Sequence, residues 1–258
     1  MKQNRCHYIK HFAMFVLKWL PAYQSGGGNL AAPKPAFTLA EVLVTLGIIG
    51  VVSAMTLPAL MQNHQRKTYV TQLHKVYNQA QQALLQYQTD KNAVDLNEAG
   101  LGNTASQVEF IKTYFKVVQD CGTQPVPCFS DTYKKLSGTP TNLEDAEHFF
   151  VLSDGAAIAT TALSNNQTTN LVMEIWVDTN GAKGPNIIGR DFFIMYVYKN
   201  GVIDDINFEE QSDGNNIVNV PLDAEYRERM FNTYCLGTSG ARRGCFGKIL
   251  NDNWEMTY

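Results

Sequence analysis

The sequence predicts an α+β fold, in which one long N-terminal helix is followed by a small antiparallel sheet. Twenty residues from Val42 to Met61 carry no charge, and an amphipathic helical pattern without Gly or Pro continues from there to Asp90. Beyond residue 147, short runs rich in β-branched and aromatic residues alternate with Asp-Gly and Asn-Gly turns. Helices followed by hairpin-connected strands are typical of the α+β class.

The composition excludes several classes of protein. The chain has 258 residues, of which 45% are hydrophobic and 17% charged, so it is not disordered throughout. Its net charge of −3 argues against a nucleic-acid-binding protein, because such a protein needs a basic surface. The mean hydropathy of −0.21 excludes a protein with many membrane spans.

Charge is distributed unevenly along the chain. Residues 1–36 carry five Lys or Arg and no acid, which leaves −8 for residues 37–258 of a chain whose total is −3. The apolar run begins directly after this basic segment. As a helix it reaches about 30 Å, the thickness of the hydrocarbon core of a bilayer. The basic flank predicts a single span with a cytoplasmic N-terminus and the remainder of the chain outside.

Two other interpretations of the apolar run are weaker. A buried core helix is seldom apolar on all its faces and flanked by a charge step. A signal peptide has a shorter apolar region, followed by a small residue at its cleavage site, whereas here Ala36 precedes the run.

Glu41 is the unusual residue of this segment. A carboxylate inside a membrane helix costs about 2.5–3.5 kcal/mol on insertion scales, and the neighbouring turns offer no Lys or Arg. A cut between Ala36 and Phe37 creates an amine at Phe37. That amine can neutralise Glu41 of the next subunit in an assembly, or Glu41 of its own chain, and the sequence does not separate these alternatives.

Ala36, Phe37, Thr38, Leu39, Ala40 and Glu41, followed by the apolar helix, resemble the N-terminal cleavage and methylation motif of type IV pilins and type II secretion pseudopilins. Counted from Phe37, Glu41 is fifth and Pro58 is twenty-second, where that family carries a Glu and often a Pro. The resemblance is specific over residues 36–61. It implies that a prepilin peptidase cuts before Phe37 and methylates the new amine, and that Glu41 guides assembly.

The resemblance also implies the organisation of the protein. Residues 1–36 are the leader, 37–61 the transmembrane and assembly helix, and 62–258 an external, pilin-like α+β head. The implied partners are the prepilin peptidase, other pilin or pseudopilin subunits and an assembly platform of the bacterial inner membrane. The implied function is that of a structural subunit of a type II secretion pseudopilus or a type IV pilus. The alternative is a single-pass, membrane-anchored external binding protein that does not polymerise.

The elements beyond the membrane segment follow in order. Pro58 is expected to kink the helix. An apolar stripe then predicts that its second half packs on the head: Tyr69, Leu73, Val76, Tyr77, Ala80, Leu84 and Tyr87. Ser106 and Glu109 have the spacing of a capping box that opens a second helix, with Val108, Ile111, Phe115 and Val118 as its apolar face.

Five strands and a C-terminal segment complete the prediction. The strands are expected at His148–Leu152, Ala156–Leu163, Leu171–Val177, Phe192–Lys199 and Val202–Phe208, with hairpin turns at Asp154-Gly155 and Asn200-Gly201. Helical character returns over Pro221–Tyr234. The segment Cys245–Met256 is expected to return to the head as a closing element.

Four of the five cysteines form two local pairs, Cys121 with Cys128 and Cys235 with Cys245. Two close pairs on the external side of a membrane predict disulfides, with the connectivity of the four cysteines formally open, and their spacings are not those of a structural zinc site.

One Gly-rich loop, from Asp178 to Asp191, carries alternating Asp and Asn. Oxygen-rich loops of this kind bind calcium, with Asp178, Asn180 and Asp191 as the candidate ligands here. Residue 182 is Ala where an EF-hand has its third ligand, so an ordinary turn shaped by Asp and Asn is the competing interpretation.

No motif of an enzyme is present. The chain lacks Gly-x-Ser-x-Gly, His-Glu-x-x-His and a phosphate-binding Gly loop, and its five His are scattered along the sequence. We therefore expect a structural protein without catalytic residues.

Overall fold

The computed structural model describes residues 38–163, 170–207, 220–239 and 241–258. The predicted cleavage residues Ala36 and Phe37 and the end of the last predicted strand lie outside these ranges. The chain divides into two compact units, residues 1–53 and 54–258.

Helix α1 runs from Leu39 to Lys91, and Pro58 lies inside it. The predicted apolar stripe is confirmed, because six of its seven side chains are at most 9% exposed: Tyr69, Leu73, Val76, Ala80, Leu84 and Tyr87. Tyr77 is partly buried, with its ring 4.9 Å from that of Trp254 and 6.0 Å from that of Phe246. The second half of α1 therefore packs along one face into the core of the second unit.

Helix α2 runs from Thr104 to Tyr114, and its start differs from the prediction. The N-cap is Asn103, whose side-chain oxygen accepts a hydrogen bond from the Ser106 N–H at 3.0 Å. The predicted capping box of Ser106 and Glu109 is wrong, because the helix begins two residues before Ser106. The predicted apolar face is also wrong at Val118, which lies beyond the end of α2 and is 65% exposed.

The head contains a six-stranded antiparallel sheet in the order β1-β4-β5-β6-β7-β8 and a two-stranded sheet of β2 and β3. The strands are β1 Val117–Gly122, β2 Tyr133–Lys134, β3 Pro140–Thr141, β4 His148–Leu152, β5 Ala157–Ala162, β6 Leu171–Asp178, β7 Phe192–Tyr198 and β8 Ile203–Asp204. The five predicted strands correspond to β4–β8, although β8 is much shorter than expected. Both predicted hairpin turns are present, with Gly155 and Gly201 at positive φ.

Strand β1 was not predicted. It pairs with β4 at one edge of the sheet, and its register is interrupted between Val117 and Gln119 and between Asp120 and Gly122. Such irregularities are common in edge strands. They remove the regular alternation that would reveal a strand in the sequence.

The core lies around β6 and β7. Every residue of β7 is buried, and so is every residue of β6 except Glu174, which is intermediate. A sheet is buried on both faces only where other elements cover both.

The C-terminal part of the head consists of short helical elements. Helix α3 runs from Ala224 to Met230, a π-helical turn from Phe231 to Cys235, and helix α4 from Cys245 to Asn251. Helical character over Pro221–Tyr234 and a closing C-terminal element were both expected.

Two adjacent carboxylates at the end of β8 hold this C-terminal part. Arg227 binds Asp204 through Nε at 2.9 Å and Nη2 at 2.5 Å. The fully buried Asp205 accepts the N–H groups of Gly244 at 3.1 Å and Gly247 at 2.8 Å. Asp205 thereby caps the first turn of α4 from a distant point in the sequence.

The position of the α2 cap is testable by two substitutions. Asn103→Ala should lower the free energy of unfolding by about 1 kcal/mol, because it removes the side-chain acceptor at the start of the helix. Denaturant unfolding of the full chain in detergent measures the change.

Glu109→Ala is the matched control. Glu109 is exposed and has no capping role in the structure, so the change should stay within about 0.5 kcal/mol. A larger loss from Glu109→Ala than from Asn103→Ala would restore the capping box expected from the sequence.

Candidate functional site

The start of α1 is closed by a reciprocal pair of hydrogen bonds. The Thr38 N–H donates to Glu41 Oε2 at 2.9 Å, and the Glu41 N–H donates to Thr38 Oγ1 at 3.3 Å. This is a capping box, with Thr38 at the N-cap and Glu41 three residues later. Glu41 therefore satisfies an N–H group that the helix leaves without a partner, a role that the sequence analysis did not assign to it.

The first part of α1 presents apolar side chains on all sides. Every large apolar side chain from Leu39 to Met61 is 42–80% exposed. Among the described residues, α1 is the one helix that is long and apolar enough to cross a membrane. A helix that is apolar all round and uncovered by protein is suited to lipid or to other helices.

Pro58 does not end the helix. The chain is helical on both sides of it, although Pro58 has no N–H to donate to the carbonyl of Ala54. The structure therefore combines the predicted assembly residues Glu41 and Pro58 in one continuous helix.

The second candidate site is the loop that joins β6 to β7. Asp178 is fully buried, and its two carboxylate oxygens accept the Tyr133 hydroxyl at 2.5 Å and the Asn180 N–H at 3.1 Å. Burial raises the pKa of Asp178 to about 8, and the nearby Asp191 carboxylate acts in the same direction, whereas the hydrogen bond from Tyr133 opposes them.

Asp191 closes the other end of the loop. Its two oxygens accept the N–H groups of Asn186 and Ile187, each at 2.7 Å. Burial raises the pKa of Asp191, and these N–H donors oppose the rise because they favour the ionised form. The two carboxylates therefore shape the loop from its two ends.

Three more oxygens of this loop are buried without a hydrogen-bond partner: Thr179 Oγ1, Asn180 Oδ1 and Asn186 Oδ1. Buried acceptors without a partner point to a water or a cation. Neutral oxygens beside carboxylates are the ligand types that calcium takes. The donor set fits a hard cation, and Asp178, Asn180 and Asp191 would hold it.

The described residues nevertheless contain no group of three or more His, Cys, Asp or Glu arranged around a common metal position. Any cation here would therefore depend on amide and hydroxyl oxygens in addition to two carboxylates. The calcium assignment stays a prediction.

Both predicted cysteine pairs form disulfides. Cys121 is bonded to Cys128, and Cys235 to Cys245. A side chain at Gly189 would approach the second disulfide closely, with its Cβ 2.9 Å from Cys245 Sγ. The 178–191 loop and the C-terminal disulfide therefore pack directly against each other.

Residues 133–135, which we call the strap, link these two features. Tyr133 bonds Asp178, as described above, and the backbone of Lys134 pairs with that of Ile187 and its neighbours in the loop. Lys135 is 1% exposed, and its Nζ donates to the carbonyls of Tyr234 at 2.6 Å and Ser239 at 2.8 Å. Sequence reasoning missed the strap, because a two-residue strand carries no periodicity and its partners lie far along the chain.

His148 takes part in a surface network rather than a metal site. Its Nε2 lies 2.6 Å from Asp120 Oδ1, and Lys112 Nζ lies 2.7 Å from Asp120 Oδ2. Partial burial raises the pKa of Asp120, but the hydrogen bonds from Lys112, Gly122 and His148 outweigh it and lower the pKa to about 2. The network ties α2, β1 and β4 together.

Comparisons with known proteins give no relative. No protein-family model, no curated protein and no solved structure matches the chain.

The raised pKa of Asp178 predicts the pH dependence of stability. The ordinary pKa of 3.8 rises to about 8 on folding, so the folded state holds a proton that the unfolded chain releases. The free energy of unfolding in chelator should therefore fall as the pH rises from about 4 to 8. Asp178→Asn should flatten this fall and leave the share due to Asp205, whose pKa burial raises to about 6, and to Asp191 and Glu174, whose pKa values burial also raises.

Calcium is tested in the same titration. Calcium requires the ionised carboxylate, so at pH 8 the melting temperature should be higher in calcium than in chelator, and Asp178→Asn should abolish the difference. Equal melting temperatures of metal-free protein with and without calcium would leave the Asp and Asn side chains with the role of shaping the turn.

Proposed function

We propose that this chain is the precursor of a structural subunit of a type II secretion pseudopilus or a type IV pilus-like filament. It is cut before Phe37 and assembles through α1. The observation that carries the proposal is the Glu41 capping box at the head of a 53-residue helix whose first part is apolar on every side. Glu41, the motif residue expected to guide assembly, therefore lies in the first turn of the helix through which the subunit is proposed to assemble.

The capping box separates two roles of Glu41. Its hydrogen bonds explain how the helix begins, and they require an acceptor but no charge, because Gln serves in a capping box as well as Glu. The negative charge is still costly in lipid. A filament offsets that cost by bringing the carboxylate to a cation, and the new amine of Phe37 is the nearest source of one.

The head fits a subunit that lies outside the inner membrane. The two disulfides support a head in an oxidising compartment. This agrees with the basic segment, which is expected to keep the N-terminus in the cytoplasm and so to leave the head outside. The subunit is thus proposed to be held in the bacterial inner membrane with its head outside, and to pass from there into the filament. Prepilin peptidase, other subunits and the inner-membrane assembly platform are its proposed partners.

Processing is the first test of the proposal. The mature protein should begin at Phe37, with a methylated amine, and contain 222 of the 258 residues after loss of the first 36. Mass spectrometry of the N-terminal peptide from the membrane fraction measures this. An intact leader would instead favour the membrane-anchored binding protein that does not polymerise.

Substitutions at Glu41 test assembly. Glu41→Gln keeps a capping acceptor but removes the charge, so the chain should still insert in the membrane while sheared filaments disappear. Glu41→Ala removes both and should also abolish filaments. The amount of filament sheared from cells, relative to the subunit in the membrane fraction, is the measurement.

Thr38→Val is the matched control, since it removes the hydroxyl acceptor of the capping box and keeps the carboxylate. It should retain filaments. Filaments from Glu41→Gln at the wild-type level, together with their loss in Thr38→Val, would show that assembly depends on the cap and not on the charge.

A further inference from the structure

Two basic residues follow the apolar segment of α1 closely. Arg66 and Lys67 are five and six residues beyond Met61, or about 8–9 Å along the helix axis. The polar headgroup layer on each side of a bilayer is about 5–8 Å thick. Side chains on a helix tilt toward its N-terminus, so these two long side chains extend back toward the apolar segment.

The two residues also lie on the side of α1 that faces the head. Tyr69 and Val70, three residues further on, are 9% and 4% exposed, and positions three apart share a helix face. Arg66 is half-buried and Lys67 is exposed. They therefore form the edge of the head nearest to the apolar segment.

Arg190 joins this edge from the 178–191 loop. The Tyr258 hydroxyl donates to the carbonyl of Gly189 at 2.8 Å, which places Tyr258 beside Arg190. The segment that carries Tyr258 also packs on α1, where the Trp254 ring stacks on that of His74 at 3.9 Å. Burial and the negative charge of Asp252 raise the pKa of Tyr258, and the positive charges of Arg66 and Arg190 oppose the rise.

These three cations form no ion pair with the described part of the head. In the described part of the chain, ion pairs engage Lys75, Lys112, His148, Arg227, Arg242 and Lys248, whereas Arg66, Lys67 and Arg190 have no carboxylate within ion-pair distance. Asp178 and Asp191, the two acids of the loop that carries Arg190, are buried and already accept protein hydrogen bonds. Asp252, whose negative charge acts on Tyr258, is bound to Lys248 at 3.0 Å, so the edge carries three cations that have no ion-pair partner among the described residues of an otherwise acidic head.

We propose that Arg66, Lys67 and Arg190 form a docking surface for anionic phospholipid headgroups of the leaflet from which the head emerges. The proposal rests on the membrane span in the proposed function. Basic side chains at the level of the headgroups attract anionic lipids, and each contributes a comparable increment to the binding. The surface holds the head at the membrane before assembly.

The test uses the full chain reconstituted in vesicles of phosphatidylcholine, alone or mixed with phosphatidylglycerol. Electron paramagnetic resonance of spin-labelled lipids measures how strongly the protein prefers phosphatidylglycerol to phosphatidylcholine. We expect Arg66→Gln/Lys67→Gln/Arg190→Gln to lower this preference several-fold, by up to roughly fivefold for each charge removed. Added salt should weaken the wild-type preference, because it screens exposed charges.

Two further variants make the comparison specific. Lys91→Gln/Lys116→Gln/Lys199→Gln removes the same charge elsewhere on the head, with Lys91 about 45 Å along α1 from Met61, and should keep the wild-type preference. Arg66→Lys/Arg190→Lys keeps the positive charges and should also keep the wild-type preference for phosphatidylglycerol. The basic leader is the same in every variant, so its own attraction for anionic lipid cancels.

The possible results are distinct. Equal preferences in the edge variant and the matched control would overturn the docking surface, and so would a loss in Arg66→Lys/Arg190→Lys as large as in the edge variant. Failure of the wild-type chain to float with vesicles of either composition would instead overturn the membrane span itself.

Discussion

Burial of β6 and β7 on both faces is the constraint that places the other elements of the head. Strands with nearly every residue buried need partners above and below the sheet, and a single amphipathic helix covers only one face. The stripe of α1 from Tyr69 to Tyr87 supplies part of the cover, and α2 and the short C-terminal helices supply more. These C-terminal helices are too short to be stable alone. The buried carboxylates Asp204 and Asp205 hold them in place.

The sequence was most informative where a local pattern has one physical solution. The stripe of α1, the hairpins at Gly155 and Gly201 and the two close cysteine pairs were predicted correctly, because helical period, positive φ and short loop closure leave few alternatives. The capping box was predicted at Ser106 and Glu109 and instead occurs at Thr38 and Glu41. The spacing of the two residues alone does not identify a capping box. At the start of α2, the side chain of Asn103 accepts the N–H group of Ser106 and is the N-cap.

The candidate site shows the same limit. Asp178 and Asp191 stand out in the sequence, but the partners that determine their chemistry do not. Tyr133 reaches Asp178 from 45 residues away, and the donors to Asp191 are backbone N–H groups that leave no trace in the residue types. A sequence therefore identifies which carboxylates are unusual, whereas the fold decides whether each holds a proton, a hydrogen bond or a cation.

The buried Lys135 has a consequence for the order in which the head is completed. Its two carbonyl acceptors lie 99 and 104 residues further along the chain. A chain that emerges from its N-terminus forms α1 and the sheet while these acceptors have still to appear, and a buried ammonium without partners is strongly unfavourable. The strap therefore reaches its final position only after residue 239 has emerged. For the exported subunit proposed above, this makes the arrival of residue 239 the step that fixes the strap.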